Sequence, residues 1–260
     1  MIKLVLKRCF LVILPFYFLT CGIEEFYYIP QMSGNIKTSL NNDAEISIDN
    51  TLDSKYNYAV YYRIYISDFY TERGGNDELP SSVRNDINQT FNSDYSFFYS
   101  YTDSTNYSNV PTSNTFKNRY YHELELLDAN LRSLKISDVI PYSGGNFHIR
   151  FPTNPGLSPV LENKNTNNTY YLFRNSGDGN NNGINFTPEP DRYFFYSDEL
   201  IKQIDTTAGG INNDVTMREG LSGFAYVSMY LVAVGVNPTN FSRIFSKPTH
   251  IGIFMLPSIN

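Results

Sequence analysis

The ten residues Tyr58–Ser67, YAVYYRIYIS, decide the fold class. Tyr58, Val60, Tyr62, Ile64 and Ile66 fall on one face of a period-2 pattern, and Ala59, Tyr61, Arg63 and Tyr65 fall on the other. A strand so apolar on both sides must be covered above and below, so it belongs in the middle of a sheet. A second segment of this kind, Phe224–Val236, is almost continuously apolar and rich in Val, Tyr and Met. Its β-branched content and the flanking Gly223, Gly235 and Pro238 make it a long buried strand rather than a helix. The two segments are expected to be neighbouring central strands of one sheet.

Outward from these, shorter alternations mark further strands. Ile46 and Ile48 alternate with Glu45, Ser47 and Asp49, and Phe147, Ile149 and Phe151 alternate with Asn146, His148 and Arg150. Thr169–Arg174, Tyr193–Tyr196 and Ile251–Leu256 are predicted strands, while Tyr120–Leu127 alternates like one although Glu123–Leu134 also contains good helix formers. Tyr95, Phe97, Tyr99 and Tyr101 give one wholly aromatic strand face. That face reads either as core or, with the Ser/Thr/Asn-rich loop 103–114, as a binding surface. Short helices are predicted over 81–91 and 197–204, the second capped by Ser197. Short strands between turn signals make the fold all-β, an antiparallel β-sandwich with one to three short helices.

The N-terminal end fixes an address. Lys3, Lys7 and Arg8 precede an apolar run from Cys9 to Leu19, with Thr20 and Cys21 at the exit, the layout of a secretory signal. Eleven residues are too few for a membrane span, which needs ~20. The expected division is a signal at 1–20, a tether at 21–28 and one β-sandwich domain at 29–260. Losing Lys3, Lys7 and Arg8 from the 20 basic residues leaves 17 against 26 acids, a formal charge of −9, which excludes a nucleic-acid partner. The two cysteines, Cys9 and Cys21, lie within the signal and at its end. No intrachain disulfide can then form in the exported product, and stability rests on packing.

Phe18, Leu19, Thr20, Cys21 and Gly22 resemble a relaxed lipobox, and this layout with Tyr-rich strands is similar to that of spirochaetal lipoproteins. The resemblance implies an acylated Cys21 as the mature N-terminal residue. It also implies a lipid bilayer as partner and the cell envelope as location, at the outer membrane or cell surface. Ile29, Pro30, Ala44–Asp49 and Tyr58–Arg63 at the front, with Tyr230–Gly235 and Ile251–Phe254 at the back, resemble strands A, B, C, F and G of the fibronectin type III family. That implies a fibronectin type III/immunoglobulin-like core at 29–67 and 224–256, with 68–221 as a large insertion.

Chemistry is sparse. Asp178, Asn180, Asn182, Ile184 (through its carbonyl) and Glu189 satisfy the spacing of a calcium loop, although Pro188 and Pro190 oppose an exit helix. A solvated hairpin loop is the competing reading, and no other cofactor is implied. None of His122, His148 and His250 has a His or Cys at metal-ligand spacing. Glu123 and Glu125 would share a strand face as an acid pair. Two functions follow: a non-enzymatic, lipid-anchored module that binds a host surface, an envelope protein or a glycan, or an envelope carbohydrate-active enzyme using Glu123, Glu125, Asp178 and Glu189. The absence of Trp weighs against stacking on sugar rings.

Overall fold

In chain order the strands are β1 (Gly34–Ser39), β2 (Asp43–Ile48), β3 (Asn57–Ser67), β4 (His122–Glu123), β5 (Glu125–Leu127), β6 (Ser133–Lys135), β7 (Gly145–Arg150), β8 (Val160–Asn163), β9 (Asn168–Phe173), β10 (Val215–Thr216), β11 (Phe224–Val236), β12 (Arg243–Phe245) and β13 (Thr249–Met255). Two short helices, α1 (Ser113–Lys117) and α2 (Ile136–Val139), lie among them. These come from a computed structural model that describes residues 29, 31–32, 34–39, 42–49, 56–67, 97–98, 111–119, 121–130, 132–152, 157–174, 194, 215–216, 224–237 and 240–256.

The strands form two sheets, as the alternating pattern requires. One runs β1-β2-β7-β8-β9-β5-β6; the other runs β10-β3-β11-β12, with β13 also on β11 and β4 on β3. Every pairing is antiparallel except β10 with β3. The two apolar segments that decide the fold are neighbours along their whole length, from Phe224 opposite Ser67 to Val234 opposite Asn57. Segment 68–221 supplies five of the seven strands in the first sheet.

The sandwich core fills the space between the sheets. Tyr58, Val60, Tyr62 and Ile64 of β3, with Val227, Met229 and Leu231 of β11, meet Ala44, Ile46, Phe147, Ile149 and Leu161 from the facing sheet. The second sheet is also covered on its far side, as its doubly apolar strands demand. There Tyr61, Tyr230 and Val232 pack under Phe98, Phe116 of α1 and Tyr121. The Tyr61 and Phe116 rings stack at 4.1 Å, and Phe98 meets Tyr230 at 4.7 Å.

Two devices close the sandwich along its sides. On one, the segment predicted as a single strand over 120–127 crosses from sheet to sheet. His122–Glu123 pairs with β3, the Leu124 N–H donates to the Val60 carbonyl at 2.7 Å, and Glu125–Leu127 pairs with β9. On the other, β13 approaches β1 closely enough that a Cβ on Gly252 (φ +155) would sit 2.9 Å from Thr38 Cγ2. The Thr38 hydroxyl donates to the Ile251 carbonyl at 3.1 Å, and Asn42 bridges β2 to the end of β13.

The aromatic alternation at 95–101 differs from expectation where it is described. Phe97 and Phe98 have helical backbone, and Phe98 is the fully buried one, while Phe97 packs on the Arg119 guanidinium at 3.7 Å. Phe194 lies in a bend rather than a strand, with its ring against Tyr62 in the core. Predicted helices 81–91 and 197–204 lie outside the described residues.

The core contains phenols that resist ionisation. Burial pushes Tyr58 up to about 12, and Tyr61 is raised by burial and by the Glu123 carboxylate beside it. A free Tyr ionises near ~10, so the folded protein holds these protons where the unfolded chain releases them. That stability is complete below ~10 and is lost as pH rises toward 12. Circular dichroism against pH should show alkaline unfolding in this window. Among the described residues the Tyr58 hydroxyl has no hydrogen-bond partner. Tyr58→Phe should therefore gain about 1 kcal/mol at neutral pH and move the alkaline midpoint upward.

Candidate functional site

The outer face of the first sheet carries an ordered polar ladder. Alternation sends Ala44, Ile46, Ile48, Phe147 and Ile149 inward, which leaves Asp43, Glu45, Ser47, Asn146, His148 and Arg150 on the outside. Register sets these in rows across the strands. Asn35, Ser47 and Asn146 form one row; Lys37, Glu45, His148 and Glu162 form the next; Asp43 and Arg150 lie opposite each other in a third.

At the first two rows the face dips into a depression of ≈ 500 Å³ lined by Asn35, Lys37, Glu45, Ser47, Asn146 and Lys164, together with Ile46 and Phe147. Lys164, just past β8, is tied in by its N–H donating to the Asn146 carbonyl at 2.9 Å. Its ammonium lies 2.6 Å from Glu162, which also meets Arg150 at 3.0 Å. The Lys164 hydrogen bond, with the Arg150 and Lys164 charges, holds the Glu162 carboxyl below the usual carboxylate range against the opposing effect of burial.

His148 sits at the centre of the ladder, between Glu45 and Glu162 in its row. Its Nε2 is 3.1 Å from Asp43 Oδ2, and its Nδ1 is 3.7 Å from Glu162 Oε2, too far for a hydrogen bond. The ring is largely buried, with its side chain 11% exposed. It is the polar-face position that alternation predicts for it.

Glu123 and Glu125 do not form an acid pair. They stand in different sheets, because the chain changes sheet at Leu124 between them. Glu123 accepts a two-pronged bond from Arg243, at 2.6 and 3.2 Å, beside the Tyr61 ring. Ser228 and His250 approach at 3.3 Å (Oγ to Nε2), but Ser228 has no exposed surface and offers no nucleophile to solvent. Asp128 binds its own turn, accepting from the Asn130 and Arg132 N–H groups at 2.8 and 2.9 Å. Among the described residues no group of three His, Cys, Asp or Glu side chains converges to hold a metal ion.

Cys21 and the calcium-spaced residues Asp178, Asn180, Asn182, Ile184 and Glu189 lie outside the described residues, as do Tyr95, Tyr99 and Tyr101. Three of the eight residues that line the depression are ones that periodicity leaves unmarked: Asn35 and Lys37 on β1, and Lys164 after β8. The available signal was faint, a lone Ile36 between polar neighbours and the pair Val160 and Leu161. No family model, curated protein or solved structure matches the chain.

Proposed function

We propose that this chain is a lipid-anchored protein of the bacterial envelope, at the outer membrane or cell surface, whose sandwich works as a non-enzymatic binding module. Cys21 carries the acyl anchor, and the depression on the outer face of the first sheet receives a segment of a host or envelope partner. The observation that carries the binding role is the pairing of the two carboxylates on the ladder beside it, Glu162 and Asp43. Glu162 is neutralised by Lys164 and Arg150, and Asp43 is held by His148, so these acids build a rigid polar surface rather than an acid–base pair. Asn, Ser and Lys side chains around a concavity supply adaptable hydrogen bonds.

The fibronectin type III resemblance belongs to the same reading. β3, β11 and β13 pair in the order that strands C, F and G have in that family, which supports it. Of the acids named for the carbohydrate-active alternative, Glu123 and Glu125 occupy different sheets, and Asp178 and Glu189 lie outside the described residues. Calcium at Asp178–Glu189 remains a proposal resting on spacing alone.

Two measurements test this function. Mass spectrometry of the mature protein should find Cys21 N-terminal and acylated, and a free thiol there rejects the anchor. A photo-crosslinking residue at Asn146 on intact cells should give a specific adduct that the same residue at Leu157, exposed but away from the depression, does not give. Equal labelling from both positions, or hydrolysis of envelope glycan lost in Glu162→Gln, rejects the binding module.

A further inference from the structure

The hairpin joining β11 to β12 presents an aromatic side chain in a conformation that costs energy. Phe241 is 80% exposed and has φ 56°, the left-handed region that a bulky residue seldom occupies. The turn holds it there. The Phe241 N–H donates to the Asn237 carbonyl at 2.7 Å, the Asn237 N–H donates to the Ser242 carbonyl at 2.9 Å, and the Ser242 N–H and hydroxyl donate to Asn240 Oδ1 at 3.0 and 2.7 Å. Backbone strain kept in place by its surroundings is a recurrent property of functional positions. Val236, at the end of β11, is a second exposed apolar side chain at 56%, and no charged residue lies between it and Ser242.

This tip lies at the end of the sandwich where the chain enters. Ile29 is buried, and its Cδ1 is so near β11 that a Cβ on Gly235 would sit 2.8 Å from it. Eight peptide links separate Ile29 from Cys21, so a lipid on Cys21 lies at most about 28 Å from Ile29. The opposite end of β11, where Tyr226 pairs with Met255, is roughly 30 Å from Gly235 along the strand. The exposed Phe241 is therefore on the side of the molecule that faces an acyl anchor.

We infer that the β11–β12 hairpin tip is a second, non-covalent contact with the lipid surface, Phe241 entering the interfacial layer of the bilayer. This rests on the lipidation of Cys21 proposed above. An uncharged aromatic tip suits the boundary between headgroups and acyl chains. The formal charge of −9 on the chain after residue 20 selects a zwitterionic surface over an anionic one.

The chain contains no Trp, so Phe241→Trp places a single fluorescent reporter at the tip. The full-length lipidated variant is reconstituted on phosphatidylcholine vesicles and compared with Leu157→Trp. Leu157 is 57% exposed and precedes β8 where Val160 pairs with Arg150, at the end away from Ile29. Flotation with the vesicles reports the anchor, and quenching by brominated lipid reports the tip. The expected result is that both proteins float, that emission from Phe241→Trp is blue-shifted and quenched, and that Leu157→Trp stays water-like. Flotation with an unquenched Phe241→Trp overturns the inference and leaves the anchor standing. Failure to float, with no quenching, overturns both.

Discussion

Val60→Asp should leave the protein without a cooperative melting transition. Val60 has no exposed surface, faces the sandwich core from β3, lies opposite Leu231 of β11, and its carbonyl receives the Leu124 N–H at the point where the chain changes sheet. A carboxylate placed there would sit in a cluster of apolar side chains. Burying it ionised costs tens of kcal/mol in principle, and burying it protonated still costs several. A domain of this size has roughly 5–15 kcal/mol in total, so one substitution consumes most of it. Val60→Ala separates the charge effect from the loss of volume, because two missing methyl groups and the void they leave cost about 2 kcal/mol. The alanine variant should melt cooperatively at a lower temperature, while the aspartate variant aggregates or shows a featureless trace. A soluble Val60→Asp protein with a sharp transition would show that β3 is not the central strand.

The strands that sequence revealed are the ones whose burial is unambiguous. β3 and β11 are apolar on both faces, and β2 and β7 alternate cleanly because one face meets the core and the other meets water. Strands with little buried surface were not legible. β1 is an outer strand with Ile36 as its single large apolar residue, and β8 commits Leu161 alone to the core cluster. Loop-like chemistry hid them, since neighbouring strands supply the packing that their own composition lacks. The change of sheet at Leu124 is hidden for a related reason. Alternation through 121–127 is real on both sides of it, and only the pairing partners differ. Phe97 and Phe98 show the converse: alternation in an aromatic run also fits a helical turn that buries one ring, and Phe98 took that place in the satellite cluster.

The polar ladder was half legible on the same grounds. Alternation placed His148 and Arg150 on the outer face, which is a property of one strand. Bringing Lys37, Glu45, His148 and Glu162 into one row is a property of register across four strands, and a one-residue slip in any of them would send its member inward. The hairpin tip was illegible for another reason. Asn240, Phe241 and Ser242 look like any polar turn until the positive φ and the exposed ring are seen together.

Asn42→Ala should destabilise the fold by about 4 kcal/mol, a large effect for a side chain that contributes almost nothing to the apolar core. Asn42 is 5% exposed and joins three strands of two sheets. Its Nδ2 donates to the Phe151 carbonyl at 3.1 Å and to the Met255 carbonyl at 2.7 Å, and its Oδ1 accepts from the Met255 N–H at 2.8 Å. Its own carbonyl accepts from the Phe151 N–H at 3.0 Å. Alanine removes three of these bonds and strands backbone groups with little access to water, at about 1 kcal/mol each. It must also occupy φ 61°, which Asn tolerates and Ala does not, adding about 1 kcal/mol. The two parts can be measured apart. Asn42→Gly accepts the backbone angle and loses the same bonds, so it should be more stable than the alanine variant by about 1 kcal/mol. Asn42→Asp keeps the acceptor for Met255 but turns a carboxylate toward two carbonyls, so it should fall below the parent at neutral pH and recover part of the loss when acid protonates it. Urea midpoints for the three variants test the scheme. If Asn42→Ala stays within about 1 kcal/mol of the parent, packing alone holds this corner of the two sheets together and the side-chain bridge is incidental.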